Sequence, residues 1–262
     1  MAEVSNRIFL GSTEVIGFYD DKVVGINSYE LIQDLPSQGL QFWLDSTTFT
    51  TGSSTWVSNG GLQFSGSFTG ATPVQKRTDN DGIVNFTTSS AMKIGGNTSL
   101  NYTASNYTLF VVNRYTGSSA DYHGRLLDGV TNNWLAPTYG GGAGAGATEY
   151  HSAYFNGSSF IIQSGSIYDT QWRISTVVRD IPNLSSSFYV NGVLAASGAN
   201  NATTNGFNGL SINNGQSGNG TVNPGTGEVT QADVGDIVLY NTVLNQSQID
   251  IVYNILKNRY GL

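Results

Sequence analysis

From Leu40 onward, apolar and polar positions alternate in short segments bounded by Gly, Asn, Ser and Thr: LQFWLD (40–45), GLQFSG (61–66), IVNFTT (83–88), GRLLDGV (124–130), SSFIIQSG (158–165), WRISTVVRD (172–180), SSFYVNGVLAAS (186–197), NGLSINNG (208–215) and GDIVLY (235–240). A period of two sends successive side chains to opposite faces of a strand, and no helix-period stripe interrupts the series. The pattern therefore predicts an all-β, antiparallel sandwich or barrel. YTLFVVNRY (107–115) is nearly continuous in apolar residues, as a strand covered on both faces should be. The long stretches YGGGAGAGATEYHS (139–152) and GANNATTNGFNG (198–209) read as loops, where binding function tends to sit.

The period changes once, at the end. Asn245 is placed to cap a helix, with Gln248 three residues on completing a capping box. Ile249, Val252, Ile255 and Leu256 form one apolar stripe, Lys257 and Arg259 occupy the last turn, and Gly261 stops the helix. At the other end, residues 7–32 hold three short apolar runs (IFL, VIGFY, VVGI) separated by GSTE and DDK, a small strand–turn–strand unit. So short a ribbon is marginal alone and should pack on its own domain or on another chain. The change of regime near Pro36 divides the chain into a short N-terminal β-unit (1–35), expected to anchor the chain, and a large domain (36–262).

The 262 residues suffice for a sizeable core, and 39% of them are hydrophobic. Only 11% are charged, with a net charge of −7 and no Lys/Arg cluster, so nucleic acid and anionic membranes are not expected as partners. No stretch approaches the ~20 apolar residues of a membrane span. The start, MAEVSNRIFLGSTEVIG, has no basic region followed by an apolar run, so a Sec-type leader is not expected; synthesis in a cytoplasm followed by release or a non-standard export route is. No cysteine and only two histidines leave little for metal ligation.

With the pattern in hand, several segments match a known family. LQFWLD, with Trp43 and Asp45, is similar to the opening L-x-x-W-L-D strand of concanavalin A-like lectin/glucanase (laminin-G-like) domains. YTLFVVNRY resembles their central strand, FYVNGVLA their Y-x-N-G hairpin with its turn at Asn191 and Gly192, and GDIVLYNTVLNQSQIDIVYNILKNRYGL their closing strand and helix. The resemblance covers residues 40–262 and implies a jelly-roll sandwich with one C-terminal helix. IFLGSTEVIGFYDDKVV (8–24) resembles modules that open many tailed-phage virion proteins, which makes Ile8, Phe9, Leu10, Val15, Phe18, Tyr19, Val23 and Val24 candidates for attachment to a particle.

Enzymatic chemistry finds little support. Glycoside hydrolysis needs two carboxylates flanking the scissile bond, which on one strand would read E-x-D-x-x-E or E-x-D-x-E, and neither occurs. Glu228, Asp233 and Asp236 in GEVTQADVGD are the nearest acids, with a turn or edge role expected for Asp236; no G-x-S-x-G elbow accompanies His123 or His151. Asp20, Asp21, Asp79 and Asp81 suit hairpin turns. TDNDG (78–82) offers alternating oxygens that suit calcium but lacks a complete EF-hand loop, so no metal or other cofactor is expected.

Glycan recognition instead asks for aromatic faces beside amides and carboxylates. Asp121, Tyr122 and His123, then Asn133, Trp134 and Tyr139, then Tyr150, His151 and Tyr154 are such clusters near the glycine-rich loop; the alternative is that these aromatics are core or an oligomer interface. Trp43, Trp56 and Trp172 lie in or next to strands and are expected to pack inward. The expectation is a non-enzymatic virion structural protein of a tailed phage, as capsid decoration, head fibre or tail-associated protein. The N-terminal unit would attach to capsid or tail proteins and the jelly roll would be exposed, with a homo-oligomer expected and host-surface glycans as candidate ligands. The alternative is a bacterial secreted or cell-surface carbohydrate-binding module.

Overall fold

The computed structural model describes residues 8–10, 13–15, 35–59, 65–70, 74–78, 81–94, 100–117, 124–140, 149–150, 152–164, 170–199, 206–213 and 228–262. The chain divides into two compact units, Met1–Leu35 and Pro36–Leu262. In the first, β1 (Ile8–Leu10) and β2 (Thr13–Val15) form an antiparallel ribbon with Ile8 opposite Val15. Of the attachment candidates, Ile8, Phe9, Leu10 and Val15 lie on this ribbon; Phe18, Tyr19, Val23 and Val24 fall outside the described residues.

The second unit is a sandwich of two antiparallel sheets. One runs β15 (Phe160–Ser164), β14 (Ser152–Phe155), β11 (Leu135–Ala136), β10 (Leu127–Gly129), β19 (Leu210–Ile212), β8 (Ser90–Ile94), β5 (Ser65–Gly70), β4 (Thr55–Val57). The other runs β18 (Val193–Ala199), β17 (Ser185–Val190), β16 (Arg173–Asp180), β9 (Tyr107–Tyr115), β20 (Ala232–Tyr240), β7 (Asp81–Phe86), β6 (Val74–Thr78). β20 shares one edge between two partners: β7 pairs its first residues and β3 (Leu40–Leu44) its last.

Alternation sorts the side chains as the sequence predicts. Leu127, Ile212 and Met92 meet across neighbouring strands and enter the inter-sheet core with Trp56, Leu109, Val111, Val177, Phe188 and Leu239. On β9 and β20 the opposite face is buried too: Phe110, Val112, Val238 and Tyr240 are all inaccessible, which explains the continuous apolar run of YTLFVVNRY. The 15-residue α1 (Gln246–Tyr260) closes this outer face with Ile249, Val252 and Leu256 buried. Such side chains contribute roughly 1.5–3 kcal/mol each on burial. The capping box of Asn245 and Gln248 is present, and Gly261 ends the helix in the left-handed region at φ 65°. Asn191 (φ 50°) and Gly192 (φ 78°) turn β17 into β18, the residue pair a tight hairpin favours. Thr78 pairs with Asp81 where β6 and β7 run antiparallel, while Asp79 lies outside the described residues.

The opening and closing motifs meet in one buried network. β20 bulges at Gly235–Asp236, where the register against β9 shifts between Val234 and Ile237. The bulge re-aims the Asp236 carboxylate, which accepts hydrogen bonds from Trp43 Nε1 (3.0 Å), the Ser46 amide (3.0 Å) and the Tyr260 hydroxyl (2.9 Å) and lies 3.4 Å from Arg259 Nε. Arg259 also pairs with Asp45 and lies over the Trp43 ring. Asp45 in turn accepts from the Thr47 amide at the start of the 3₁₀ turn η1 (Ser46–Thr48).

Gly235 is required here: a Cβ would lie 2.5 Å from the Tyr260 ring. Burial raises the Asp236 carboxyl to about 6, against the pull of Arg259. Asp236 therefore has neither a turn nor an edge role; it is fully buried on a central strand. Trp43 and Trp172 also depart from expectation. Of the three tryptophans expected to pack inward, Trp56 is fully buried, while Trp43 lies half-buried beneath Arg259, and Trp172 beneath Arg114 and beside Tyr260.

Candidate functional site

The outward face of the β15–β4 sheet carries a row of register partners, Thr55, Ser67, Lys93, Ser211, Asp128, Leu135 and Phe155. Because Leu127, the first residue of β10, faces the core, the next strand position, Asp128, must face outward. Asp128 is fully buried all the same, under Arg125.

Arg125 organises the site. Its backbone amide donates to the Glu228 carbonyl (2.8 Å), holding the two segments side by side. Its Nη1 donates to Asp128 Oδ1 (3.1 Å) and to Asn133 Oδ1 (2.7 Å), and its Nε pairs with Glu228 Oε2. The guanidinium carbon lies 5.9 Å from the centre of the Tyr139 ring. Burial alone would lower the Arg125 pKa, but Asp128 and Glu228 outweigh it, so the group stays charged. Burial raises the Tyr139 hydroxyl, and the neighbouring Glu228 carboxylate, to which it is hydrogen-bonded, raises it further.

An aromatic run borders this cluster. Tyr139 lies 5.3 Å from Phe160, and Phe160 lies 5.0 Å from Phe155, centre to centre. All three are half-buried, Asn133 is exposed, and the Glu228 side chain retains 19% of its accessibility. The site thus combines apolar ring surface with an amide and a carboxylate already oriented by one guanidinium. Among the described residues, no group of three or more His, Asp or Glu converges to hold a metal ion.

The sequence-predicted glycan residues separate into four groups. Asn133 and Tyr139 lie in this site. Tyr150 pairs with Tyr139 through the backbone of the ribbon β12 (Tyr139–Gly140) and β13 (Glu149–Tyr150), while Asp121, Tyr122, His123 and His151 fall outside the described residues.

Trp134 and Tyr154 are corrections. Both are fully buried in the inter-sheet core, where Trp134 Nε1 donates to the Tyr107 hydroxyl (2.9 Å) and the rings of Tyr107, Tyr154 and Phe207 surround it at 5.1–6.4 Å. Tyr154 Oη lies 3.1 Å from Tyr107 Oη and donates to Ser186 Oγ. No sugar ring can reach either face. The polar neighbours in NNWLAPTY suggest exposure, but Trp134 and Ala136 share the core-facing parity and only Leu135 turns outward.

Arg125, Asp128, Glu228, Phe155 and Phe160 were not singled out for this site by sequence. The available signal was Arg125 and Asp128 three residues apart, with the outward parity of Asp128 in GRLLDGV; the Glu228 contact spans 103 residues and left none.

No family model and no curated protein matches the chain. Solved structures do. Domain 4 of AbnA, a GH43 extracellular arabinanase from Geobacillus stearothermophilus, in complex with arabinotriose, is 14% identical with a TM-score of 0.54, over 83% of this chain and 100% of that domain. Trypanosoma rangeli sialidase in complex with sialic acid is 14% identical (TM-score 0.57), over 87% of this chain and 34% of the sialidase. A botulinum neurotoxin type C structure, whose cell entry depends on two ganglioside molecules, is 15% identical (TM-score 0.56), over 83% of this chain and 51% of that one. At these identities the likeness is one of fold: the chain is a β-sandwich of the jelly-roll kind that these proteins contain.

Proposed function

We propose that residues 36–262 form a non-enzymatic carbohydrate-binding module whose site is the cluster of Arg125, Asn133, Tyr139 and Glu228 with the aromatic run of Tyr139, Phe160 and Phe155. The observation that carries this reading is the half-exposed run of rings beside a carboxylate and an amide held by one buried arginine. Sugars offer C–H faces to rings and hydroxyls to such oxygens and amides. The AbnA domain bound to arabinotriose shares the fold and lends support. The non-enzymatic part is supported by the state of the two acids: Asp128 is fully buried, and both carboxylates are committed to Arg125, an arrangement unlike the two substrate-flanking acids of glycoside hydrolysis.

A glycan array and a host-cell binding assay on the full chain test this reading. Tyr139→Ala and Phe160→Ala are each expected to weaken binding about tenfold or more, the loss of a central aromatic anchor. Binding that survives both substitutions unchanged, or no binding of any glycan by the parent protein, overturns it.

The finer reading sets this module on the surface of a tailed-phage virion, with residues 1–35 as the attachment segment. It is supported by the resemblance of IFLGSTEVIGFYDDKVV to virion modules. Deletion of residues 1–35 should then abolish incorporation into particles, and normal incorporation of the truncated chain refutes attachment through this segment.

A further inference from the structure

The charges of the site also select among carbohydrates. Resting on the binding role proposed above, we infer that the site takes neutral glycans and discriminates against those carrying a carboxylate or sulfate. Arg125 is the cation at the centre of the cluster, and it is spoken for: Asp128 and Asn133 share its Nη1 and Glu228 takes its Nε. One positive charge against two negative ones leaves the cluster with a net charge of −1.

The part a ligand would meet is more negative than that sum suggests. Asp128 and Arg125 lie beneath the surface, whereas Glu228 and the exposed Asn133 stand at its edge. Asn133 Oδ1 already accepts from Arg125, so its amide nitrogen is the donor presented outward. A donor amide beside an accepting carboxylate suits hydroxyl groups, which donate and accept together. Among the described residues, an anionic sugar would face Glu228 without a nearby cation that is not already paired.

Lys93 lies on the same outward row, two strands from Asp128. At the usual strand spacing that is roughly 10 Å, about one screening length in physiological salt, too far to neutralise a ligand at Tyr139. The chain as a whole, at −7, adds a weak field of the same sign. Two of the similar folds come from a sialidase bound to sialic acid and a toxin that interacts with gangliosides, so the expected preference runs against what shared fold alone would suggest.

The experiment compares matched glycans, each neutral oligosaccharide beside its counterpart with one terminal sialic acid or uronic acid, on the full chain and its Glu228→Gln variant. The neutral member of each pair should bind at least about tenfold tighter, a gap of the size that like-charge contact produces. Glu228→Gln keeps a hydrogen-bonding oxygen for Arg125 and removes one negative charge, bringing the cluster to neutral, so it should narrow the gap. Raising salt from about 0.05 to 0.5 M should narrow it in the parent protein as well.

Equal or tighter binding of the acidic members overturns the charge selection while leaving carbohydrate binding in place. A gap that Glu228→Gln and salt both leave untouched overturns its electrostatic origin. Failure of every glycan to bind overturns the binding role itself.

Discussion

Trp134 separates stability from binding. It is fully buried, ringed by Tyr107, Tyr154 and Phe207, and its indole N–H serves the Tyr107 hydroxyl, which in turn contacts Tyr154. Trp134→Ala removes the largest of these rings from between the sheets and leaves a cavity. Truncations of this kind cost about 3–5 kcal/mol. The lost donor to a buried hydroxyl adds about 1 kcal/mol or more. Together these come to about 4–6 kcal/mol, and for a unit of this size each kcal/mol lowers the melting temperature by roughly 2–4 °C, so a fall of about 8–24 °C is expected. Calorimetry or circular dichroism on the full chain reads this directly. Glycan affinity, measured on the folded fraction well below the lowered transition, should stay within about twofold of the parent, because Trp134 presents no face to a ligand. A melting temperature within about 2 °C of the parent, or selective loss of binding by a fully folded variant, would refute the placement of this side chain in the core.

Two further outcomes test the network that ties the opening and closing motifs. The folded-state pKa of Asp236, about 6, lies above the unfolded carboxylate value of 3.8, so the folded chain binds this proton more tightly and loses stability as pH rises from about 4 to 6. The loss from this group amounts to about 3 kcal/mol, complete above pH 6; Asp236→Asn should flatten that part of the stability–pH curve in urea titrations, and an unchanged slope sinks the assignment. Gly235→Ala forces a methyl group into the Tyr260 ring and should lower the melting temperature by several degrees, roughly the effect of 1–3 kcal/mol. Placing the same change in a Tyr260→Ala background should recover most of that increment, and a fully additive double variant would show that the ring is not what forbids a side chain there.

Much of the fold was legible because its signals are local. Two-residue alternation gives strand faces without knowledge of partners, Asn191–Gly192 gives a turn, and Asn245 with Gln248 gives a helix start. What failed depends on parity or on distant contacts. Trp134 looked exposed among polar neighbours, yet one step along the strand from outward-facing Leu135 put it in the core. Asp236 lies on a bulge that breaks the alternation used to place side chains, and it is held by residues 193 and 190 positions away. At the candidate site Asn133 and Tyr139 were found from their chemistry. Arg125 by itself carries no local signal of its role; its meaning comes from Glu228, brought alongside only by the tertiary fold.

The pairing of β3 with β20 also governs how fast the sandwich can form. Leu40 lies opposite Tyr240, so the strand that completes the central sheet joins residues about two hundred positions apart, and both must wait for everything between them to collapse. Closing so long a loop is entropically slow, and chains dominated by such distant pairings fold in milliseconds to seconds or longer. Through that interval the long apolar run of β9 has no neighbour on the side where β20 belongs. Dilute, slow refolding should therefore recover native protein where a rapid, concentrated return from denaturant gives aggregates.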